Sequence, residues 1–495
     1  MAVVSSKHSN VQRVFYPSFD GGLNLAVPSE SLAKNELKEA INVEFSPLTG
    51  AMKVRGGLVW SGAFNIDSDI DFVVPVKGKR GFLARVTGTK SLYYFRWNNI
   101  WSVQGELTGT GDLSIAAWDN DFVIASGGKL QRFTDNGVPM LETLENSPSE
   151  CRFVFVRNGR VGVVSGNDTL RFSYVGDCEQ WDNNPDDEST GQFLEIGYKD
   201  GMNINAIVPL SRDLIVFKSP EDEPDKGIIW RVTGEFPNWQ VLEAAHNTGT
   251  FGQRSVQAVG DDVFYVTLAG VATLSSVTAY GEVKTAWPDR KIINSLAPFI
   301  DYTAQLWDVP AKQQLWLLPA ENAPEIWILD YVRGIWTKFK FPKNPIHAAG
   351  VDNRLYVFIG KNLYEVNDNY IHDELEIGQK EMITAHMKLG TILTGRQVLI
   401  KGVFVSFYIQ PQCSAEIVVG GFKMPFAYGD KVDYIYDSPN NEQYASEDTD
   451  PLFPSGGVLT ARRRCIVRDW AITPEINFYG GGCSISTMGL EIVEV

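Results

Sequence analysis

The sequence holds little that would support redox, metal or membrane chemistry. Its five cysteines, Cys151, Cys178, Cys413, Cys465 and Cys483, are odd in number, widely spaced and lack a C-x-x-C pair, so neither a disulfide scaffold nor a zinc cage is indicated. The five histidines are scattered, and only His372-Asp373-Glu374 sets an imidazole beside carboxylates, a pattern expected of a solvated loop. No apolar run is long enough to span a bilayer. Met1 to Asn10 lacks the apolar core of a signal peptide, which points to assembly in the cytoplasm. There is no Gly-rich phosphate loop ending in Lys-Ser or Lys-Thr, no H-E-x-x-H and no G-x-S-x-G elbow. The expectation is a chain without a catalytic site, cofactor or metal.

Positive charge is also scarce, with 44 Lys and Arg against 60 Asp and Glu and a formal net charge of −16. Tight wrapping of nucleic acid needs clustered cations and is disfavoured. The one basic cluster is Arg462-Arg463-Arg464, followed by Arg468. Strand alternation sends Arg462 and Arg464 to one face and Arg463 to the other. A charged strand that blocks edge aggregation is the ordinary reading, and contact with DNA or with an acidic neighbouring subunit is the functional one.

What the chain does have is turn chemistry and apolar strands. A hydrophobic fraction of 44%, 45 Gly and 24 Pro among 495 residues describe a folded chain of many turns. Strand, tight turn, strand, turn, strand recurs seven times, beginning near Phe72, Leu113, Phe153, Ile204, Ser255, Ala304 and Ile346. The turns include Asp119-Asn120-Asp121, Asn158-Gly159 and Gly260-Asp261-Asp262. The interval is roughly 40 to 54 residues, matching the ~40 to 50 of one propeller blade. Blades set radially bury one another's faces, so the pattern predicts an all-β fold with a six- or seven-bladed propeller over residues 61–378. Stacked β-sandwiches are the alternative.

After about Asn369 the strands lengthen, and 379–495 reads as a further β region with an acidic, Asn-rich loop from Asp437 to Asp450. An inserted module must leave its parent's chain ends able to meet. Residues 1–60 are therefore expected to pack with 379–495 as a platform.

Three further features have plain readings. Asp67, Asp69 and Asp71 alternate as a Ca²⁺ site could, but without an EF-hand's Gly and distal Glu, so a polar loop is expected. Asn167-Asp168-Thr169 reads as a turn. Trp101, Trp181, Trp239 and Trp336 fall near the ends of repeats and are expected to plug joints between blades. A propeller can also present two carboxylates across a sugar ring, which keeps polysaccharide binding or cleavage as a competing class.

The region Tyr16 to Leu58 carries the remaining signal. Gly21-Gly22 permits a sharp bend with Phe19 and Leu23 buried on either side. Asn35 could cap a short helix over Glu36 to Ile41, in which Leu37, Ala40 and Ile41 share a face. Val43 and Phe45, turn residues 46–50, then Met52 and Val54 predict a β-hairpin closed by Arg55-Gly56-Gly57. With Asp20, Asn24, Pro28 and Asn42, this order resembles the N-terminal region of the tail nozzle proteins of short-tailed bacteriophages, also called tail tubular protein B or tail stub proteins.

The resemblance implies a virion protein of the phage tail, with Asp20, Gly21, Gly22, Asn24, Asn42, Arg55 and Gly57 as its assembly motif. It implies a homohexameric ring that extends the DNA-ejection channel, with the adaptor ring above and tail fibres or a tail needle alongside. Double-stranded DNA would pass through, and an acidic lumen would repel its phosphates.

Overall fold

The computed structural model describes residues 11–46, 50–63, 69–76, 81–96, 100–184, 186–224, 226–277, 282–286, 288–351, 354–376, 378–428 and 458–494. Asp67, the turn at 77–79, Asp352-Asn353 and the loop 437–450 lie outside them. Strands dominate from end to end. Contacts divide the chain into two units, Met1–Val59 with Trp327–Pro342 and Val366–Val495, and Trp60–Ile326 with Lys343–Glu365.

The second unit is a β-propeller, the arrangement that the repeat predicts. Six four-stranded sheets are its blades. The first blade comprises Ile70–Val76, Gly81–Val86, Ser91–Arg96 and Ile100–Glu106, and the second runs from Ser114–Trp118 to Pro139–Thr143. The next three start at Val154–Arg157, Asn203–Pro209 and Val256–Val259. The sixth combines His347–Val351, Arg354–Ile359 and Asn362–Asn367 with Gly57–Ala63, a strand from far upstream that supplies its fourth member. Between the fifth and sixth blades the hairpin Gln305–Val309 and Gln314–Leu318 touches the first strand of each.

Tight turns set the register of each blade. Asn158 and Gly159 both adopt positive φ, 50° and 69°, which lets Arg157 pair directly with Arg160. Apolar alternation does the rest. Phe82, Ala84 and Phe95 of the first blade are buried against Tyr356, Phe358 and Leu363 of the sixth, with the Phe82 and Phe358 rings edge to face at 5.0 Å. Trp181 and Trp239 pack on the clusters between neighbouring blades, Trp239 with its ring 4.6 Å from Phe172. The Trp101 side chain lies outside the described residues.

Among the described residues the first unit contains two large sheets and a two-stranded ribbon of His372–Glu376 with Gln379–Met382. In one, Ser484–Glu494 lies between Ile392–Tyr408 and the hairpin Val43–Ser46 with Ala51–Val54; it also pairs with Val11–Tyr16, from Val11 opposite Val493 to Tyr16 opposite Met488. In the other, Glu36–Ile41 is inserted between Ile335–Phe339 and Thr384–Leu389, and the sheet continues through Glu475–Tyr479 to Ser414–Val419 and Phe422–Ala427. Phe407 stacks edge-on against Phe426 and Phe478, at 5.2 and 5.9 Å, at the core of this unit.

The helix expected over Glu36 to Ile41 does not form; the segment is a strand. Its pairing with Thr384–Leu389 slips by one residue between Leu37 and Glu39. That bulge places Leu37 and Ala40, three apart, on the same buried side. The helical spacing read from the sequence is the signature of a bulged strand. Asn35 caps nothing; its amide Nδ2 donates to Asp20 Oδ1 at 2.9 Å, and its carbonyl accepts from the Gly21 N–H at 3.0 Å.

Candidate functional site: a buried arginine node and a propeller cavity

The bend at Gly21-Gly22 is as tight as the glycines allow. Gly22 sits at φ +60, and a Cβ there would lie 2.7 Å from Ile335 Cγ2; one on Gly21 would lie 2.8 Å from the Asn35 carbonyl oxygen. Phe19 and Leu23 are both buried, as the bend requires. Asp20 holds the outside of the turn, accepting from Ser18 Oγ as well as from Asn35. Asn24 Nδ2 donates to Glu36 Oε2 at 2.8 Å, locking the segment after the bend to the bulged strand.

Asn42 and Arg55 meet in a second node. Asn42 adopts φ 58, a left-handed conformation that asparagine tolerates better than most residues. Its Oδ1 accepts from Arg55 Nε at 3.0 Å and from the Lys340 N–H at 2.8 Å, while its Nδ2 donates to the Thr384 carbonyl at 2.8 Å. Arg55 is only 2% exposed. Its two terminal nitrogens donate to the two oxygens of Asp373, at 2.9 and 2.6 Å, and further to the carbonyls of Gly56 and Lys340. The guanidinium lies 4.5 Å from the centre of the Phe341 ring. Asp373 Oδ1 also accepts from the Leu58 N–H.

Gly57 is required by packing: a Cβ would stand 2.1 Å from the His372 carbonyl oxygen. The expected solvated loop at His372-Asp373-Glu374 is therefore corrected. His372–Glu376 is a strand, and Asp373 is buried where it neutralises the buried Arg55. Nε and both terminal nitrogens of Arg55 donate to protein groups, which makes the node a fastener.

Arg462 and Arg464 lie in the strand Val458–Ile472, opposite Phe404 and Gly402. Their side chains fall outside the described residues. The motif residues thus form two nodes in one unit, and Asp373, Lys340 and Thr384 are partners that the sequence did not single out. A buried arginine just before two glycines calls for a carboxylate, but 60 acidic residues offer no way of choosing it from spacing.

The propeller has a cavity of about 770 Å³, lined in part by Asp69, Asp112, Arg254, Tyr302, Glu321 and Lys343. Charges inside it are mostly matched. Arg85 grips Asp71 through two bonds of 3.0 and 3.2 Å and also donates to the Thr110 and Gly111 carbonyls. Lys343 approaches Asp69 at 3.8 Å, and Arg254 approaches Asp112 at 3.6 Å. Asp69 and Asp71 are therefore taken up by cations, but the polar loop expected there does not extend to Asp71, which lies in the strand Ile70–Val76.

Arg254 stacks over Phe72 at 4.2 Å, and its Nε is buried without a hydrogen-bond partner. Burial lowers the pKa of Arg254, an effect that Asp112 and Asp71 oppose. Nearby, His347 packs edge-on against Trp307 and is pushed down to about 3 by burial and then by Arg254, which keeps its imidazole neutral. Tyr302 stands 58% exposed with its ring edge-on to Phe251. Paired charges and an exposed ring are groups that can hydrogen-bond to and stack on a polar molecule.

Among the described residues no group of His, Cys, Asp and Glu is arranged to hold a metal ion, and no helix is long and apolar enough to cross a membrane. The sequence matches no known family and no curated protein. Similar solved structures are propellers. The WD40 β-propeller domain of Doa1 aligns at 14% identity over 63% of this chain and 95% of its own, with a TM-score of 0.40. A catalytically inactive virginiamycin B lyase from Staphylococcus aureus aligns at 13% identity over 62% and 98%, with a TM-score of 0.42. BamB from Moraxella catarrhalis aligns at 12% identity over 62% and 96%, with a TM-score of 0.38.

Proposed function

We propose that this chain is a structural subunit of a short-tailed phage, a tail nozzle that assembles as a homohexameric ring and extends the DNA-ejection channel. The observation that carries the reading is the joint burial of Asn42, Arg55 and Gly57 against Asp373. The residues on which the nozzle resemblance rests are spent on fastening an early segment to a late one, as an anchoring base requires. On this reading the protein has no catalytic role and works mechanically. It is assembled in the host cytoplasm, sits beneath the adaptor ring beside fibres or a needle, and lets duplex DNA slide past an acidic wall. The net charge of −16 supports such a wall.

Mass in solution and negative-stain images of the protein mixed with the tail adaptor test this. Rings stacked on the adaptor support the nozzle, and a chain that stays monomeric and never joins the adaptor refutes it. A second reading is favoured by the cavity around Arg254, with its exposed Tyr302 and convergent polar groups: a tail protein that binds polysaccharide through the propeller. Retention on immobilised host polysaccharide, lost in Arg254→Ala, supports it; retention unchanged by that substitution does not.

A further inference from the structure

The propeller cavity is short of positive charge. Asp69, Asp71, Asp112 and Glu321 line it, against Arg254 and Lys343. Arg85 grips Asp71 and offsets one acid. The balance stays negative, as it does for the whole chain at −16. The ion pairs in the cavity wall are loose. Lys343 and Asp69 stand 3.8 Å apart with side chains 67% and 63% exposed, and Arg254 and Asp112 stand 3.6 Å apart. Both separations are longer than a direct hydrogen bond, and exposed pairs of this kind contribute little, so the cation of a ligand can take over either carboxylate at small cost.

Glu321 is exposed and pairs with no cation among the described residues. Its backbone is nevertheless pinned: the N–H donates to Thr303 Oγ1 at 2.8 Å, and the carbonyl accepts from Asn344 Nδ2 at 3.2 Å. Tyr302 immediately precedes Thr303, so a ring and a carboxylate are tied to one part of the wall. The Tyr302 ring is 58% exposed and is braced edge-on by Phe251 at 5.4 Å. An aromatic face attracts a cation through its ring quadrupole and also offers apolar area to one side of a sugar ring. At about 770 Å³ the cavity has the size of a site for a short oligomer.

We propose that this cavity binds a polysaccharide whose sugars carry free primary amines, the protonated amines being accepted by the lining carboxylates, Glu321 first, and a sugar ring lying on Tyr302. The proposal rests on the polysaccharide reading of the cavity and names the class of sugar. An acidic polysaccharide would bring its charge against the surplus carboxylates, and a neutral one would leave Glu321 without a partner. An amino sugar supplies both the missing positive charge and the ring.

The test is calorimetric titration of the full chain with three short oligomers: glucosamine, its fully N-acetylated counterpart, and galacturonate. The pH is about 6, where carboxylates are ionised and the sugar amines protonated. The expected result is that the glucosamine oligomer binds on the order of tenfold more tightly than the other two, and more weakly as salt is added. Glu321→Gln should weaken that binding several-fold with the thermal midpoint unchanged. Glu195→Gln, which removes the same charge from an exposed position outside the cavity, should leave it as it was. No binding of the glucosamine oligomer, binding of either other oligomer as tightly, or an equal loss in Glu195→Gln would overturn the proposal, and the comparison of oligomers on the wild-type chain stands even if a variant fails to fold. If the amine preference is missing while host polysaccharide is still retained through Arg254, the amine assignment falls and the polysaccharide reading stands; if nothing is retained, both fall.

Discussion

The two units are each held by a buried cation, and the two cations work over different distances along the chain. In the propeller, Lys218 is fully buried and donates at 2.8 Å to both Asp168 and Asp200 and to the carbonyls of Ile196 and Gly197. Its farthest partner is 50 residues away. In the other unit, Arg55 reaches Asp373 across 318 residues. Within a blade and between successive blades the fasteners are local, and only the closure of the ring, where Gly57–Ala63 completes the sixth blade and Phe82 meets Phe358, is distant in sequence; the other unit is assembled throughout from segments that meet only once the intervening chain has folded. The propeller should therefore form and melt piecewise from local contacts, whereas the unit containing Arg55 should respond as a whole to a change at one distant pair.

The largest expected effects are a matched pair. Arg55→Ala strands the Asp373 carboxylate and should cost about 3–5 kcal/mol. Phe82→Ala, which empties the joint between the first and sixth blades, should cost a similar ~3–5 kcal/mol. Hydrogen exchange followed peptide by peptide should show faster exchange at 36–58 and 372–389 in the first variant and at 70–96 and 347–363 in the second. The same pattern in both would break the comparison. Replacing both partners of the node, Arg55→Met with Asp373→Leu, should recover much of the first loss, because no charge is left buried.

Lys218→Met should cost less, about 1–3 kcal/mol, because Asp168 and Asp200 retain some access to water once the lysine is gone. It carries a pH signature. Burial raises the Asp168 carboxyl, but the hydrogen bonds from Lys218 and the Lys199 N–H outweigh it and leave it lowered. A carboxylate lowered on folding stabilises above its unfolded pKa, and that stability is lost as the pH falls through the folded value. Urea denaturation between pH 5 and the acid limit should therefore show a steeper loss in the wild type than in Lys218→Met.

Asp289 has the opposite sign. Burial lifts its carboxyl from the ordinary value to about 6, even though Oδ2 accepts from the Val271 N–H; Oδ1 has no partner. The folded state then holds a proton that the unfolded state releases, so stability falls as pH rises from about 4 to about 6 and is level above that. Asp289→Asn should remove this fall and gain on the order of 1–3 kcal/mol at neutral pH. Urea midpoints that keep the same slope in the variant would contradict it. The smallest effect is at the bend, where Gly22→Ala imposes left-handed strain and a contact with Ile335; about 1–2 kcal/mol in the urea midpoint is expected.

The same contrast explains what could be read from the sequence. Turns such as Asn158-Gly159 announce themselves because two residues decide them, and the repeat of such turns gives the propeller directly. The sixth blade was legible only as three strands, because its fourth, Gly57–Ala63, comes from a place with no repeat signal. Leu37 and Ala40 misled because a bulge and a helix share their spacing. Asp373 was invisible as a partner because nothing local distinguishes it from other acids. The hairpin at Val43 to Val54 and the burial of Phe19 and Leu23 were readable, being set by neighbours in sequence.

The nozzle reading is tested most directly by locating the chain in an assembled particle. Cryo-electron microscopy of the virion should place six copies as a ring at the distal end of the short tail, with duplex DNA on the ring's axis. A particle that lacks the chain, or that carries it only on peripheral spikes away from the DNA path, would contradict the account.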